Sequence, residues 1–233
     1  MTDCLFIVGH NIAATQTVLW SRMLDRLHGP NPPRCVVVDP RRTPTAELAT
    51  VHLQPAAGTN LALLNGMQRL MFERGYIDED YVKKHTIGVE QLKRIIEGYT
   101  PERVHEITGV PPDLLSQAVD VIGTSKTVLA TALQGVYQSN QATASACQIN
   151  NIQLLRGNIG KPGGGIYQVG AGDGAVSGYS ADTDGTTDER STYRPEQPRS
   201  WLRRRIPWFQ EQQQPSTHGR VGSVACTTTK LRQ

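Results

Sequence analysis

The stretch from residue 4 to residue 38 restricts the fold more than any other part of the sequence. Cys4-Leu5-Phe6-Ile7-Val8 is an unbroken apolar run that stops at Gly9, the pattern of a strand buried on both faces of a parallel sheet. From Thr15 to Leu27, apolar residues at Val18, Leu19, Met23, Leu24 and Leu27 mark a helical stripe, ended by His28-Gly29-Pro30. Cys35-Val36-Val37-Val38 is a second buried strand, closed by Asp39-Pro40. Strand, helix and strand in so short a span form a βαβ unit, whose crossover is right-handed almost without exception. Val51-His52-Leu53 and Thr127–Thr131 read as further strands. Between them, Leu61, Leu64, Met67, Leu70 and Met71 share one helix face, and Asp78 caps a helix running to His85. Segments 89–97, 101–107 and 112–122 read as short amphipathic helices, and Gln141–Leu155 as a longer one. Helices alternating with parallel strands place residues 1–168 in the α/β class.

Composition matters chiefly because it changes along the chain. Hydrophobic residues make up 38% of all 233, but about 43% of residues 1–168 and about 26% of 169–233. Leu, Ile, Val and Phe fall to about 12% in the second part, too few to bury a core, so residues 169–233 are expected to be a disordered tail or an out-of-frame product. Charge is sorted there as well. Residues 173–189 are acidic without a base, and the later cluster Arg203-Arg204-Arg205 between Trp201 and Trp208 reads as a solvated charge run. A net charge of +3 supplies no reason to invoke nucleic acid. The longest apolar runs are far short of a membrane span or secretory segment, so the chain is expected to be cytoplasmic and its four cysteines reduced.

Ligands of open α/β sheets sit beyond the carboxyl ends of the strands. Those ends are Gly9-His10-Asn11, Asp39-Pro40-Arg41-Arg42-Thr43 and Leu133-Gln134-Gly135. Neither the dinucleotide fingerprint G-x-G-x-x-G nor a P-loop is present, nor G-x-S-x-G or H-E-x-x-H. Each end nevertheless offers glycine or a compact polar side chain, which lets a nucleotide approach the backbone N–H groups. Asp39 is suited to a ribose hydroxyl or a guanine edge and Arg41 or Arg42 to a phosphate, unless Asp39 and Thr43 only shape a turn and the arginines are solvated. The glycine-rich loop from Arg156 to Gly165 suits close wrapping around a ligand or a plain linker. No His, Cys or carboxylate forms a recognisable acid–base pair, and Cys147 reads as a packed helix residue, so the catalytic residues stay unknown and no metal ligand is assigned.

Five segments occur in an order that resembles the molybdopterin oxidoreductases of the dimethyl sulfoxide reductase family, nearest to assimilatory nitrate reductase and formate dehydrogenase catalytic subunits. They are Gly9-His10-Asn11 with Trp20, Val38–Ala46, Gly58-Thr59-Asn60-Leu61-Ala62-Leu63, Gly135-Val136-Tyr137-Gln138, and Asn151 through Leu154-Leu155 to Gly157-Asn158-Ile159-Gly160-Lys161-Pro162-Gly163. The resemblance covers residues 3–168. It implies Rossmann-like sheet layers and molybdenum held between two molybdopterin guanine dinucleotides. By resemblance, Gly9 and Asn11 contact the cofactor, Asp39, Arg41 and Thr43 hold its nucleotide end, and Asn60, where many relatives carry Asp, faces guanine. Gln134, Gly135 and Gln138 then line the second dinucleotide site, with Gly157, Gly160 and Gly163 in the loop beneath it.

The family also carries an iron–sulfur cluster and a molybdenum ligand whose residues have no counterpart in this sequence. The resemblance therefore implies an internal fragment of a catalytic subunit, of nitrate reductase type, inactive alone. In the parent enzyme its partners are a small-molecule substrate and an electron-donor or acceptor protein or domain. Two alternatives stay open: a non-catalytic module that binds a nucleotide cofactor or docks to a partner, and a truncated product without function.

Overall fold

The computed structural model describes residues 2–168. In chain order the elements are β1 (Cys4–Val8), α1 (Ile12–Thr15), α2 (Thr17–Leu27), β2 (Arg34–Val38), α3 (Pro44–Glu47), β3 (Val51–Leu53), α4 (Asn60–Glu73), α5 (Glu79–His85), α6 (Val89–Ile96), α7 (Pro101–Thr108), α8 (Pro112–Thr124), β4 (Val128–Ala132), α9 (Gln134–Tyr137), α10 (Ala142–Leu155) and β5 (Gly165–Gln168). The α/β expectation holds. All five strands are parallel, in the order β3-β2-β1-β4-β5, which is the strand order of dinucleotide-binding sheets, with its switch point between β1 and β4. The expectation about residues 169–233 lies outside the described residues.

Alternation along each strand builds two apolar layers. Phe6 and Val8, Val36 and Val38, and Ala130 and Ala132 face α4, α8 and α10, joining Leu64, Met67, Leu115, Ile122, Ile149 and Ile152. Leu5, Ile7, Cys35 and Val37 face the other way, against Ile12 and Ala46. Leu19, Trp20, Met23 and Leu27 of α2 cover that second layer. The sequence stripe included Val18, which is 77% exposed: at 100° per residue the inward face of this helix is 19, 20, 23 and 27, and position 18 falls almost opposite. The expected helix from Thr15 is also two pieces, because Gln16 breaks the turn with φ −138° and ψ 65°.

The Asp78 cap stands where the sequence implied. The Asp78 carboxylate accepts from Tyr81 N–H at the start of α5, and Thr100 caps α7 ahead of Pro101. At the end of α10, Gly157 takes φ +59°, and the N–H of Asn158 reaches back to the Gln153 carbonyl while that of Gly157 reaches Leu154. That is a left-handed helix stop, for which glycine is the natural residue. Arg156 then ties this end down, donating to the carbonyls of Tyr76 and Ser125. Cys4 and Cys35 are buried free thiols, as expected.

Candidate functional site

Register creates the site. Val8 pairs with Val38 on one side and Ala132 on the other, and Val38 pairs with Leu53, so these strands end level. The loops that follow them therefore reach one rim together. There they enclose a cleft of about 410 Å³ lined by Gly9, Asn11 and Thr15 after β1, Val38 to Arg41 after β2, and Pro55 to Gly58 after β3. Asn60 of α4 and Leu133, Gln134, Gly135, Gln138 and Ser139 after β4 close the other side.

At its floor the chain crosses itself. Gly9 has φ +56°, and its carbonyl accepts from Gly135 N–H at 3.0 Å. A Cβ on Gly9 would stand 2.7 Å from Gly135 C, and one on Gly135 would stand 2.7 Å from Gly9 Cα. Both positions require glycine, one for its backbone angle and both for the contact.

The polar side chains of the rim are held by defined bonds. Asp39 is buried, and its Oδ1 accepts from Arg41 N–H at 2.9 Å, an Asx turn that folds the loop after β2. Its other oxygen has no protein donor among the described residues. Arg41 lies over the rim with a 74% exposed side chain and Nε 3.5 Å from Asp39 Oδ1; so exposed an ion pair contributes little to stability. Thr43 does not line the cleft. It is buried and accepts from Ala46 N–H as the cap of α3. Asn60 donates from Nδ2 to the Gly135 carbonyl at 3.1 Å, which leaves Oδ1 as its free acceptor. His10, one residue past Gly9, turns inward instead, with Nδ1 3.2 Å from Thr131 Oγ1 on β4. Burial lowers its pKa to about 4, so the ring is neutral and cannot serve as a cation here.

Gly9, Asn11, Asp39, Arg41, Asn60, Gln134, Gly135 and Gln138 are thus brought together. Gly157, Gly160 and Gly163 are not. Their loop precedes β5, which starts level with Leu129 near the opening of β4, so it lies at the amino end of the sheet. Thr2 Oγ1 bonds to the Gly163 carbonyl and Lys161 Nζ lies 3.3 Å from Asp78 Oδ2. Two cleft features escaped the sequence reading. Thr45 bonds to Asn11 (below), and residues 55–58 supply a wall because β3 ends level with β2. A larger hollow, about 590 Å³, lies among Phe72, Val82, Ile87 and Val89 with charged side chains around it, and no strand end reaches it. Among the described residues, no group of three or more His, Cys, Asp or Glu is placed to hold a metal ion.

Comparison with known proteins gives a consistent set of relatives. Residues 1–213 match the family model described as Molybdopterin oxidoreductase. The chain is similar to the nitrate reductase of Synechocystis sp., 37% identical over 182 residues, covering 78% of this chain and 25% of that protein. It is similar to formate dehydrogenase H of Escherichia coli, 33% identical over 168 residues, 72% of this chain and 23% of the other. Among solved structures, acetylene hydratase from Pelobacter acetylenicus superposes with a TM-score of 0.62 at 23% identity, over 68% of this chain and 22% of that one, a likeness of fold. The chain spans about a quarter of the length of the curated relatives it matches.

Proposed function

The chain belongs to the molybdopterin oxidoreductase family, and from that premise we propose that it forms part of the catalytic subunit of a molybdenum-dependent oxidoreductase of nitrate reductase type, where its cleft holds the guanine dinucleotide end of the cofactor. When bound, that cofactor supplies the redox chemistry at molybdenum; the chain's own residues bind and orient. One observation carries the reading: residues from four separate segments meet in a single cleft at the sheet's switch point, where nucleotide ligands of such sheets lie.

The residues present fit a nucleotide. The Gly9–Gly135 contact leaves no side chain between ligand and backbone. Asp39 keeps one carboxylate oxygen for a ribose hydroxyl, and Arg41 is free to swing onto a phosphate. Asn60 presents an acceptor, which suits the N–H edge of guanine, and one of the two N–H donors of its amide is held by the Gly135 carbonyl. Gln134 and Gln138 stand on the facing wall. Gly157, Gly160 and Gly163 are left out of this proposal, since their loop sits at the other end of the sheet. Turnover is assigned to the longer protein, with an electron-transfer partner and an iron–sulfur centre, and none to this chain alone.

Two measurements test it. Titration calorimetry of the full chain is expected to show saturable binding of guanosine diphosphate, weaker binding of adenosine diphosphate, and about tenfold loss on Asp39→Ala. Equal or absent binding of the two nucleotides overturns the assignment of the cleft. For substrate class, residues 1–168 grafted over the matching segment of the Synechocystis nitrate reductase should preserve nitrate reduction. A folded, cofactor-loaded chimera without that activity rejects the nitrate reductase type.

A further inference from the structure

Asn11 lines the cleft, and its side chain has two ends of nearly the same shape and opposite hydrogen-bonding character. Which end meets a ligand must be decided by something behind it. Thr45, on α3, stands there. Its hydroxyl accepts from Ala13 N–H at 3.1 Å and lies 3.1 Å from Asn11 Oδ1. Thr45 is 1% exposed, and its single hydroxyl proton has no other acceptor among the described residues. Directing that proton to Oδ1 satisfies it; turning the amide round would bury an unused donor. Thr43, by capping α3, fixes the turn on which Thr45 stands.

We propose that Thr45 is a positioning residue: its hydroxyl holds the Asn11 amide with Oδ1 inward and Nδ2 toward the cleft, so that the wall after β1 offers an N–H donor to an oxygen acceptor of the ligand. With Asn60 held in the opposite sense by Gly135, the cleft has a fixed polarity, donor on the β1 wall and acceptor on the α4 wall. The inference rests on the nucleotide reading above and adds to it the device that sets the polarity.

The test uses the full chain, ¹⁵N-labelled, with guanosine diphosphate as the probe. Thr45→Val keeps the shape and removes the hydroxyl; Thr45→Ser restores it. The side-chain amide signals of Asn11, identified by their loss in Asn11→Asp, are expected to be ordered in the parent and in Thr45→Ser and mobile in Thr45→Val. Affinity for the probe should fall about tenfold in Thr45→Val, return to within about twofold in Thr45→Ser, and show no further effect of Thr45→Val in an Asn11→Ala background. Asn11→Asp keeps an acceptor for Thr45 and loses the donor, so it should fold normally and bind at least tenfold more weakly. The proposal is overturned if the Asn11 amide stays ordered in folded Thr45→Val, or if Asn11→Asp binds like the parent. If the parent itself does not bind the probe, the nucleotide reading fails, and the relaxation data still decide whether Thr45 orients Asn11. Should Thr45→Val not fold, Asn11→Asp alone decides between the two amide orientations.

Discussion

Single residues at the switch point carry constraints far out of proportion to their size. Gly9 combines φ +56° with a backbone contact that no Cβ can enter, and Gly135 shares the contact. Left-handed backbone costs a non-glycine residue roughly 1–2 kcal/mol, and a backbone overlap adds to that. Gly9→Ala is therefore expected to lower stability by about 3 kcal/mol or more in urea titration, and Gly135→Ala to cost at least as much as a tight core overpacking, about 1–3 kcal/mol. His10 carries a different constraint. Its pKa is lowered from 6.5 to about 4 by burial, so the unfolded chain takes up a proton before the folded one does. The stabilisation from keeping this ring neutral is complete above about pH 6.5 and is lost as pH falls toward 4, by about 3 kcal/mol in all. Urea midpoints measured from pH 7 to pH 4 should show this slope, and His10→Gln should flatten it; an unchanged slope in the variant would assign the acid limb to other groups.

Whole helices follow the same logic of space. Residue propensity favours alanine over glycine inside α4 by about 1 kcal/mol. A Cβ at Gly66, however, would sit 2.4 Å from Val104 Cγ2 of α7, and a β-branched side chain has little freedom to turn away. Gly66→Ala is expected to destabilise by about 1–3 kcal/mol. Gly98 follows α6, and a Cβ there meets nothing within 4 Å, so Gly98→Ala should be neutral or stabilise by up to about 1 kcal/mol. Thermal melts of the pair separate packing from propensity, because propensity alone gives both changes the same sign. Between α4 and α10 the contact is not wholly apolar. Gln68 donates to Gln148, and both polar atoms of Asn65 and of Gln153 are buried without a partner among the described residues. The apolar spacing of α4 was readable, but that Asn65 and Gln68 lie buried was not, since polar residues on a stripe usually mark its solvent side.

Across the molecule, the sheet screens its own reactive groups. Cys4 opens β1 and Cys35 lies within β2, on neighbouring strands but on opposite faces of the sheet, each buried in one of the two apolar layers. Burial pushes the Cys4 thiol up to about 11 and the Cys35 thiol to about 12. Thiolate is the reactive form, so neither should be alkylated at pH 8 while the chain is folded. Peptide mapping after iodoacetamide treatment should show both modified together at the rate of global unfolding. Fast modification of Cys35 alone would mean that β2 opens by itself.

Sequence alone resolves the strands β1 to β4, the longer helices and the parallel α/β class, because apolar runs and 3.6-residue stripes are local and report burial directly. It also named most of the cleft, since residues that follow buried strands and cannot extend them must gather at the sheet's carboxyl edge. It left β5 unseen among glycines, and it grouped the loop of Gly157, Gly160 and Gly163 with a cleft that lies at the other end of the sheet. Both points turn on long-range pairing. Whether a short segment such as β5 becomes a strand depends on β4 being there to pair with it. Which end of the sheet a loop reaches depends on strand direction and register, and which way an amide such as Asn11 or Asn60 points depends on a partner dozens of residues away.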